Sequence, residues 1–176
     1  GDAVLPAIAE MARVLKDGWL HTGDIGEFDE NGRIRITDRK KDIIVNDKGE
    51  NISPQKIEGM LTLQPEIIQA MVSGDKRPHL VALVVPDPEW AAEWAVANDI
   101  KYDLKALSDL PAFRSAVMEA VDRVNRQVTL TEKVRNITLT PDGFTIDNEM
   151  LTPSLKIRRH MIRQVYGEQI DALYRG

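Results

Sequence analysis

The run Leu80-Val81-Ala82-Leu83-Val84-Val85 has no polar residue to offer solvent. It suits a buried strand, and Ile67–Ser73 suits a second one. Lys76-Arg77-Pro78-His79 is the polar connection between them. Proline-led segments surround the pair. Ser53-Pro54 starts a helix with Ser53 as cap and Ile57, Met60 and Leu61 as its buried stripe. A helix is expected from Pro88 to Ala97, and Leu104–Leu107 adds a turn or two. Pro111 opens a longer helix with Phe113, Val117, Ala120, Val121 and Val124 on one face. Val134–Leu139 is a further strand. The last helix is expected over Ile157–Val165, with Ile157, Met161 and Val165 buried and Arg158, Arg159, His160 and Arg163 facing solvent.

This mixture predicts an α+β fold for residues 41–176. Residues 1–40 read as a helix from Pro6 to Lys16, ended by Gly18, and a hairpin turning at Asp29-Glu30-Asn31-Gly32. That is too little to bury a core, so 1–40 is expected to be the tail of a preceding larger domain. A second short strand, Ile43–Val45, is followed by a turn at Asn46-Asp47-Lys48-Gly49.

Composition removes several function classes. The 176 residues carry a formal net charge of −5, which argues against non-specific nucleic-acid binding. There is no cysteine, hence no disulfide scaffold, thiol nucleophile or thiolate zinc site. No apolar run approaches the roughly 18–20 residues that span a bilayer. The expected location is cytoplasmic, with peripheral membrane contact through the basic residues of the last helix.

Three ordered stretches carry the chemistry. The first is Asp17-Gly18-Trp19-Leu20-His21-Thr22-Gly23-Asp24. The second is Thr37-Asp38-Arg39-Lys40-Lys41-Asp42, running into Lys48-Gly49-Glu50-Asn51-Ile52-Ser53-Pro54 and closing at Glu58. The third is Leu151-Thr152-Pro153-Ser154-Leu155-Lys156. Taken singly, each has an ordinary reading. Asp24 is a turn-capping aspartate, or a carboxylate that accepts from vicinal ribose hydroxyls. Arg39 and Lys41 share a face of an extended segment, solvated or holding a phosphate. Gly49 is a hairpin glycine, or a place where a ligand approaches the backbone. Lys156 is a surface lysine, or a mobile cation bridging a carboxylate and a phosphate.

Together, in this order, they resemble the adenylate-forming superfamily that includes acyl-CoA synthetases, peptide-synthetase adenylation domains and firefly luciferase. The likeness extends over the chain from about Leu15. The Asn148-Glu149 and Leu-Thr-Pro-Ser-Leu-Lys pattern resembles the long-chain fatty acyl-CoA synthetases, where acetyl-CoA synthetases have Ser-Gly-Lys. The resemblance implies a small mobile C-terminal domain. It gives Asp24 and Arg39 to ATP, Lys41 to the hinge, Gly49, Glu50 and Asn51 to the loop lining the coenzyme A tunnel, and Lys156 to adenylation. It implies ATP, Mg2+ held mainly by the other domain, coenzyme A and a fatty acid. The partner would be the enzyme's own N-terminal domain, without which no activity is expected. Three alternatives stand beside it: a fatty acyl-AMP ligase serving a carrier protein, an interaction module that has lost the chemistry, and a surface helix that binds acidic membranes.

Overall fold

The computed structural model describes residues 15–16, 19–20, 24–28, 30–39 and 42–175. The chain divides into two compact units, Gly1–Ile43 and Ile44–Gly176. In the first, β1 (Leu15–Lys16) pairs antiparallel with β2 (Trp19–Leu20). Strand β3 (Asp24–Phe28) pairs antiparallel with β4 (Ile34–Arg39), and Gly32 takes φ +74° between them. The helix expected over Pro6–Lys16 is corrected at its end. Leu15 and Lys16 are extended because they ladder onto Leu20 and Trp19; residues 6–14 lie outside the described residues.

The second unit is built around one three-stranded sheet, ordered β7 (Ile67–Ser73), β8 (Leu80–Pro86), β9 (Val134–Leu139). Strand β8 is central, antiparallel to β7 and parallel to β9. Its side chains alternate between faces, so its apolar run feeds two cores. Leu80, Ala82 and Val84 join a core with Ile57, Leu61, Phe113, Val117 and Ile137. Val81, Leu83 and Val85 join the other, with Met71, Phe144, Ile162, Tyr166 and Ile170.

The first core is covered by α1 (Pro54–Thr62), α2 (Pro88–Ala97), α3 (Leu104–Ser108) and α4 (Pro111–Asn125). Proline occupies the first position of α1, α2 and α4, where a missing N–H costs nothing. Ser53 Oγ and Asp87 Oδ1 cap α1 and α2 by accepting from Lys56 N–H and Trp90 N–H. The hairpin of β5 (Ile44–Val45) and β6 (Asn51–Ile52) contributes Ile44 and Ile52 to the same core. A 3₁₀ turn at Leu130–Glu132 precedes β9. Burial there pushes the Glu132 carboxyl up, but hydrogen bonds from Lys56 Nζ and the Thr129 N–H outweigh it and leave the group below its ordinary value.

The second core is covered by α5 (Arg159–Ala172). Here the sequence expectation is wrong in start and phase. The helix begins at Arg159 because Ile157 is held extended, bridged antiparallel to Leu151. The buried stripe is Ile162, Tyr166 and Ile170, whereas Val165 is 60% exposed. Met161 is only half-buried, and Arg159 turns inward. Two stripes of equal spacing compete in this sequence, and tertiary contact selects the one that continues to Ile170.

This phase has a thermodynamic consequence. Ile162→Ala should lower unfolding stability by about 2–5 kcal/mol. Val165→Ala should stay within about 0.5 kcal/mol. Urea denaturation of both variants measures the difference; equal losses would contradict the observed phase.

Candidate functional site

The glycine-bearing turn is built around Asn46, which is buried although it sits in a loop. Asn46 Oδ1 accepts from the Lys48 and Glu50 N–H groups at 3.0 and 2.9 Å. Its Nδ2 donates to Glu50 Oε2 at 2.8 Å, so Glu50 is a brace of the loop as well as a member of it. Gly49 N–H returns to the Asn46 carbonyl at 3.1 Å. Gly49 holds φ +79°, which side-chain-bearing residues adopt rarely, and a Cβ placed there would meet nothing within 4 Å. The glycine is thus fixed by its backbone and open in front, and Asn51 beside it is exposed. The turn is anchored to the β7–β8 connection. Asp47 N–H donates to the Arg77 carbonyl at 3.1 Å and Lys76 N–H to the Val45 carbonyl at 2.8 Å.

Lys156 sits in a second tight loop. Leu151 and Ile157 form its base as an antiparallel bridge. Thr152 N–H donates to the Lys156 carbonyl at 2.8 Å, and Thr152 Oγ1 accepts from the Lys156 N–H at 3.1 Å. Leu155 takes φ +61° while 68% exposed. This conformation costs a non-glycine residue about 1–2 kcal/mol. Asn148 supports the loop from below, its Oδ1 accepting from the Thr145 and Met150 N–H groups. The Lys156 backbone is therefore held at both of its polar groups. Its side chain is exposed, and among the described residues Nζ has no ion-pair partner.

Glu58 and Arg159 connect these stretches, and Arg159 does not face solvent as its sequence context suggested. Arg159 Nη1 and Nη2 meet Glu58 Oε1 and Oε2 at 2.5 and 2.8 Å. Glu58 Oε1 also accepts from the Val72 N–H at 2.9 Å. Val72 belongs to β7, which pairs with β8 on one side only. The carboxylate thus caps an open sheet edge while holding a fork-to-fork ion pair. Glu58 closes the second motif on α1, and Arg159 follows Lys156 by three residues on α5. A solvent-facing arginine was expected; only a long-range pairing signal between positions 58 and 159 could have revealed this one.

The register of β3 and β4 sets Asp24 directly opposite Arg39, so the two nucleotide-site candidates are cross-strand partners along the backbone. Their side chains, and Lys41 altogether, lie outside the described residues. Among the described residues no group of three or more His, Asp or Glu side chains is placed to hold a metal ion. No helix among them is long and apolar enough to cross a membrane.

A mixed α/β unit with a rigid glycine turn and a lysine hairpin is the fold of the C-terminal part of adenylate-forming enzymes. The adenylation domain of a carboxylate reductase from Mycobacterium chelonae matches it with a TM-score of 0.81 and 25% identity, covering 96% of this chain and 25% of that one. The A-PCP didomain of carboxylic acid reductase from Segniliparus rugosus, in complex with AMP, matches at 0.77 and 28% identity over 93% of this chain and 22% of that one. The family described as AMP-binding enzyme C-terminal domain covers residues 41–176, and the chain belongs to it. Human long-chain-fatty-acid–CoA ligase 1 is 40% identical over 170 residues, 94% of this chain and 24% of the ligase. Long-chain-fatty-acid–CoA ligase FadD15 of Mycobacterium tuberculosis is 37% identical over 161 residues, 90% and 27% respectively. The chain therefore spans about a quarter of the length of these curated relatives.

The ion pair makes its own prediction. Glu58→Ala takes the carboxylate away from a largely buried guanidinium and should cost about 3–5 kcal/mol. In the double variant with Arg159→Met the loss should be clearly less than the sum of the two single losses. A double-mutant cycle in urea checks this; strict additivity would mean that the two side chains are not coupled.

Proposed function

We propose that this chain is the C-terminal part of a long-chain fatty-acid–CoA ligase, and that Lys156 serves its adenylation step. The observation that carries the proposal is the Lys156 hairpin: a backbone fixed by Thr152 and an exposed ammonium with no partner among the described residues. The relatives named as long-chain ligases support the substrate class. The proposed partner is the enzyme's own N-terminal domain, which would hold the acyl chain, most of ATP and Mg2+. The proposed location is cytoplasmic and peripheral to the membrane.

In the first half-reaction a fatty-acid carboxylate oxygen attacks the α-phosphorus of ATP. The bond to pyrophosphate breaks, leaving acyl-AMP. Two anions must approach each other, and a lysine ammonium between them offsets their repulsion. A flexible four-carbon stem on a fixed backbone suits a group that must enter a site on another domain. Asp24 would accept from the ribose hydroxyls and Arg39 would contact the nucleotide, with Lys41 at the hinge. In the second half-reaction the coenzyme A sulfur attacks the acyl carbonyl, loses its proton and displaces AMP. Gly49, with no Cβ and open space in front, would let the pantetheine arm pass along the Glu50 and Asn51 loop. Rotation of the domain about the hinge would exchange the two loops at the reaction centre.

A second reading has the acyl group pass to a carrier protein, and the likeness to a reductase didomain favours keeping it in view. The two readings separate by acceptor: coenzyme A against a phosphopantetheinylated carrier.

In the full-length enzyme, Lys156→Ala should slow acyl-AMP formation about a hundredfold or more and leave transfer from supplied acyl-AMP nearly intact. Gly49→Trp should do the reverse. Pyrophosphate release and thioester formation, assayed separately, give the two rates. Equal losses in both would overturn the assignment of Lys156.

A further inference from the structure

The Lys156 hairpin obeys turn chemistry at every position but one. Leu155 N–H donates to the Thr152 carbonyl at 2.8 Å, and Thr152 N–H donates to the Lys156 carbonyl at 2.8 Å. Pro153, Ser154 and Leu155 thus form a short hairpin loop that ends in a bulge residue with left-handed backbone. Pro153 stands second in the turn, where its fixed φ is favoured. The Thr152 and Ser154 hydroxyls share a hydrogen bond at 3.0 Å. The bulge position asks for glycine, because a Cβ crowds the backbone there. Leucine occupies it at φ +61°.

Among the described residues, the non-glycine residues with positive φ are Lys76, Asp99, Glu149 and Leu155. The first three are polar. Glu149 is repaid locally: its N–H donates to the Ile146 carbonyl at 3.0 Å, and its carbonyl accepts from Arg158 Nη1 at 3.2 Å. The side chain of Leu155 has no such return. Leu151 and Ile157, at the hairpin base, pack against the second core, but Leu155 joins neither core and is 68% exposed. A leucine that is both strained and wet stabilises nothing within its own unit. Strain of this kind persists where a further contact makes use of it.

The position of Leu155 says where that contact is. It directly precedes Lys156, and neighbouring Cα atoms are only about 3.8 Å apart. Thr152 holds both backbone polar groups of Lys156, so the two residues move as one piece. For the ammonium to enter a site on another domain, the hairpin must come up against the mouth of that site and bring Leu155 with it. There the leucine sheds the water that covers it in this unit, which favours an apolar side chain over a polar one. The chain spans about a quarter of the length of the ligases it resembles, so the remainder of the enzyme is large enough to supply the covering surface.

We propose that Leu155 is a positioning residue: an apolar anchor that docks on the ligase's own N-terminal domain at the mouth of the adenylation site, buried only in the orientation that delivers Lys156. The inference rests on the assignment of Lys156 proposed above. A side chain buried in one orientation and exposed in the other biases the equilibrium between them by that difference. Leu155 therefore favours the adenylating orientation over the thioester-forming one, and its backbone strain is retained for that purpose.

The test compares Leu155→Asn, Leu155→Gly and Leu155→Met in the full-length enzyme. The control is Leu63→Asn, since Leu63, at the end of α1, is 83% exposed. Pyrophosphate release measures adenylation, and thioester formation from supplied acyl-AMP measures transfer. Asparagine or glycine at 155 should slow pyrophosphate release about tenfold or more and leave transfer unchanged or faster. Methionine keeps an apolar side chain and should retain most of the adenylation rate. Leu63→Asn should change neither rate. In urea, the 176-residue chain carrying Leu155→Asn should have a midpoint equal to or above the wild type, because asparagine tolerates positive φ. A residue that served only the fold would lose stability along with activity. Unchanged pyrophosphate release in the asparagine and glycine variants, equal slowing of both half-reactions, or a lower urea midpoint would overturn the anchor role. So would a methionine variant as slow as the asparagine one, or the same slowing in Leu63→Asn. Lys156→Ala in parallel distinguishes the two assignments. If it slows adenylation selectively and the Leu155 variants do not, Lys156 keeps its role and the anchor falls. If it slows both half-reactions equally, the assignment of Lys156 falls and the anchor with it.

Discussion

The pair of Glu58 and Arg159 links the two halves of the larger unit. Glu58 stands on α1, in the layer over one sheet face, and Arg159 begins α5, over the other. The pair passes around the free edge of β7 and satisfies the Val72 N–H on the way. An open edge is both an unsatisfied row of backbone groups and a template for aggregation. A carboxylate that closes it, and is itself neutralised by a bidentate arginine, answers both demands at one place. It also fixes the rotation of α5. With Arg159 turned to Glu58, Ile162, Tyr166 and Ile170 point into the second core and Val165 cannot.

The consequence for function lies in the connections. Glu58 is the end of the segment that begins at the glycine turn, and Arg159 is three residues beyond Lys156. The two loops are proposed to serve different half-reactions, yet the segments that carry them meet at one sheet edge through Glu58 and Arg159. A domain that presents each loop in turn needs both to be rigid with respect to the body that moves. Asn46 on one side and Thr152 with Asn148 on the other supply that rigidity locally, and the ion pair supplies it between them.

Much of this was legible in the sequence because it depends on local rules. Proline after a capping residue places α1 and α2, the Asn46–Gly49 turn follows from its residues, and the apolar run of β8 announces its burial. What was not legible depends on distant partners. The phase of α5 could not be read from its own residues, since Ile157-Met161-Val165 and Ile162-Tyr166-Ile170 have the same spacing. Leu15 and Lys16 fit a helical stripe and are strand because Leu20 and Trp19 pair with them. In the candidate site, Gly49 and Lys156 stood out through motif order. Asn46 and Arg159 did not, because an asparagine in a turn and an arginine on a helix look solvated until their partners, 4 and 101 residues away, are known.

The Glu58–Arg159 pair holds the two loops as a single mechanical body. Hydrogen exchange in the 176-residue chain measures this directly, by comparing the wild type with Glu58→Gln under native conditions. Protection should fall together in the Asn46–Glu50 turn, in the Thr152–Lys156 loop and at Val72, while the amides of α4 keep theirs. Loss confined to one of the two loops, or unchanged protection in both, would show that the pair does not couple them.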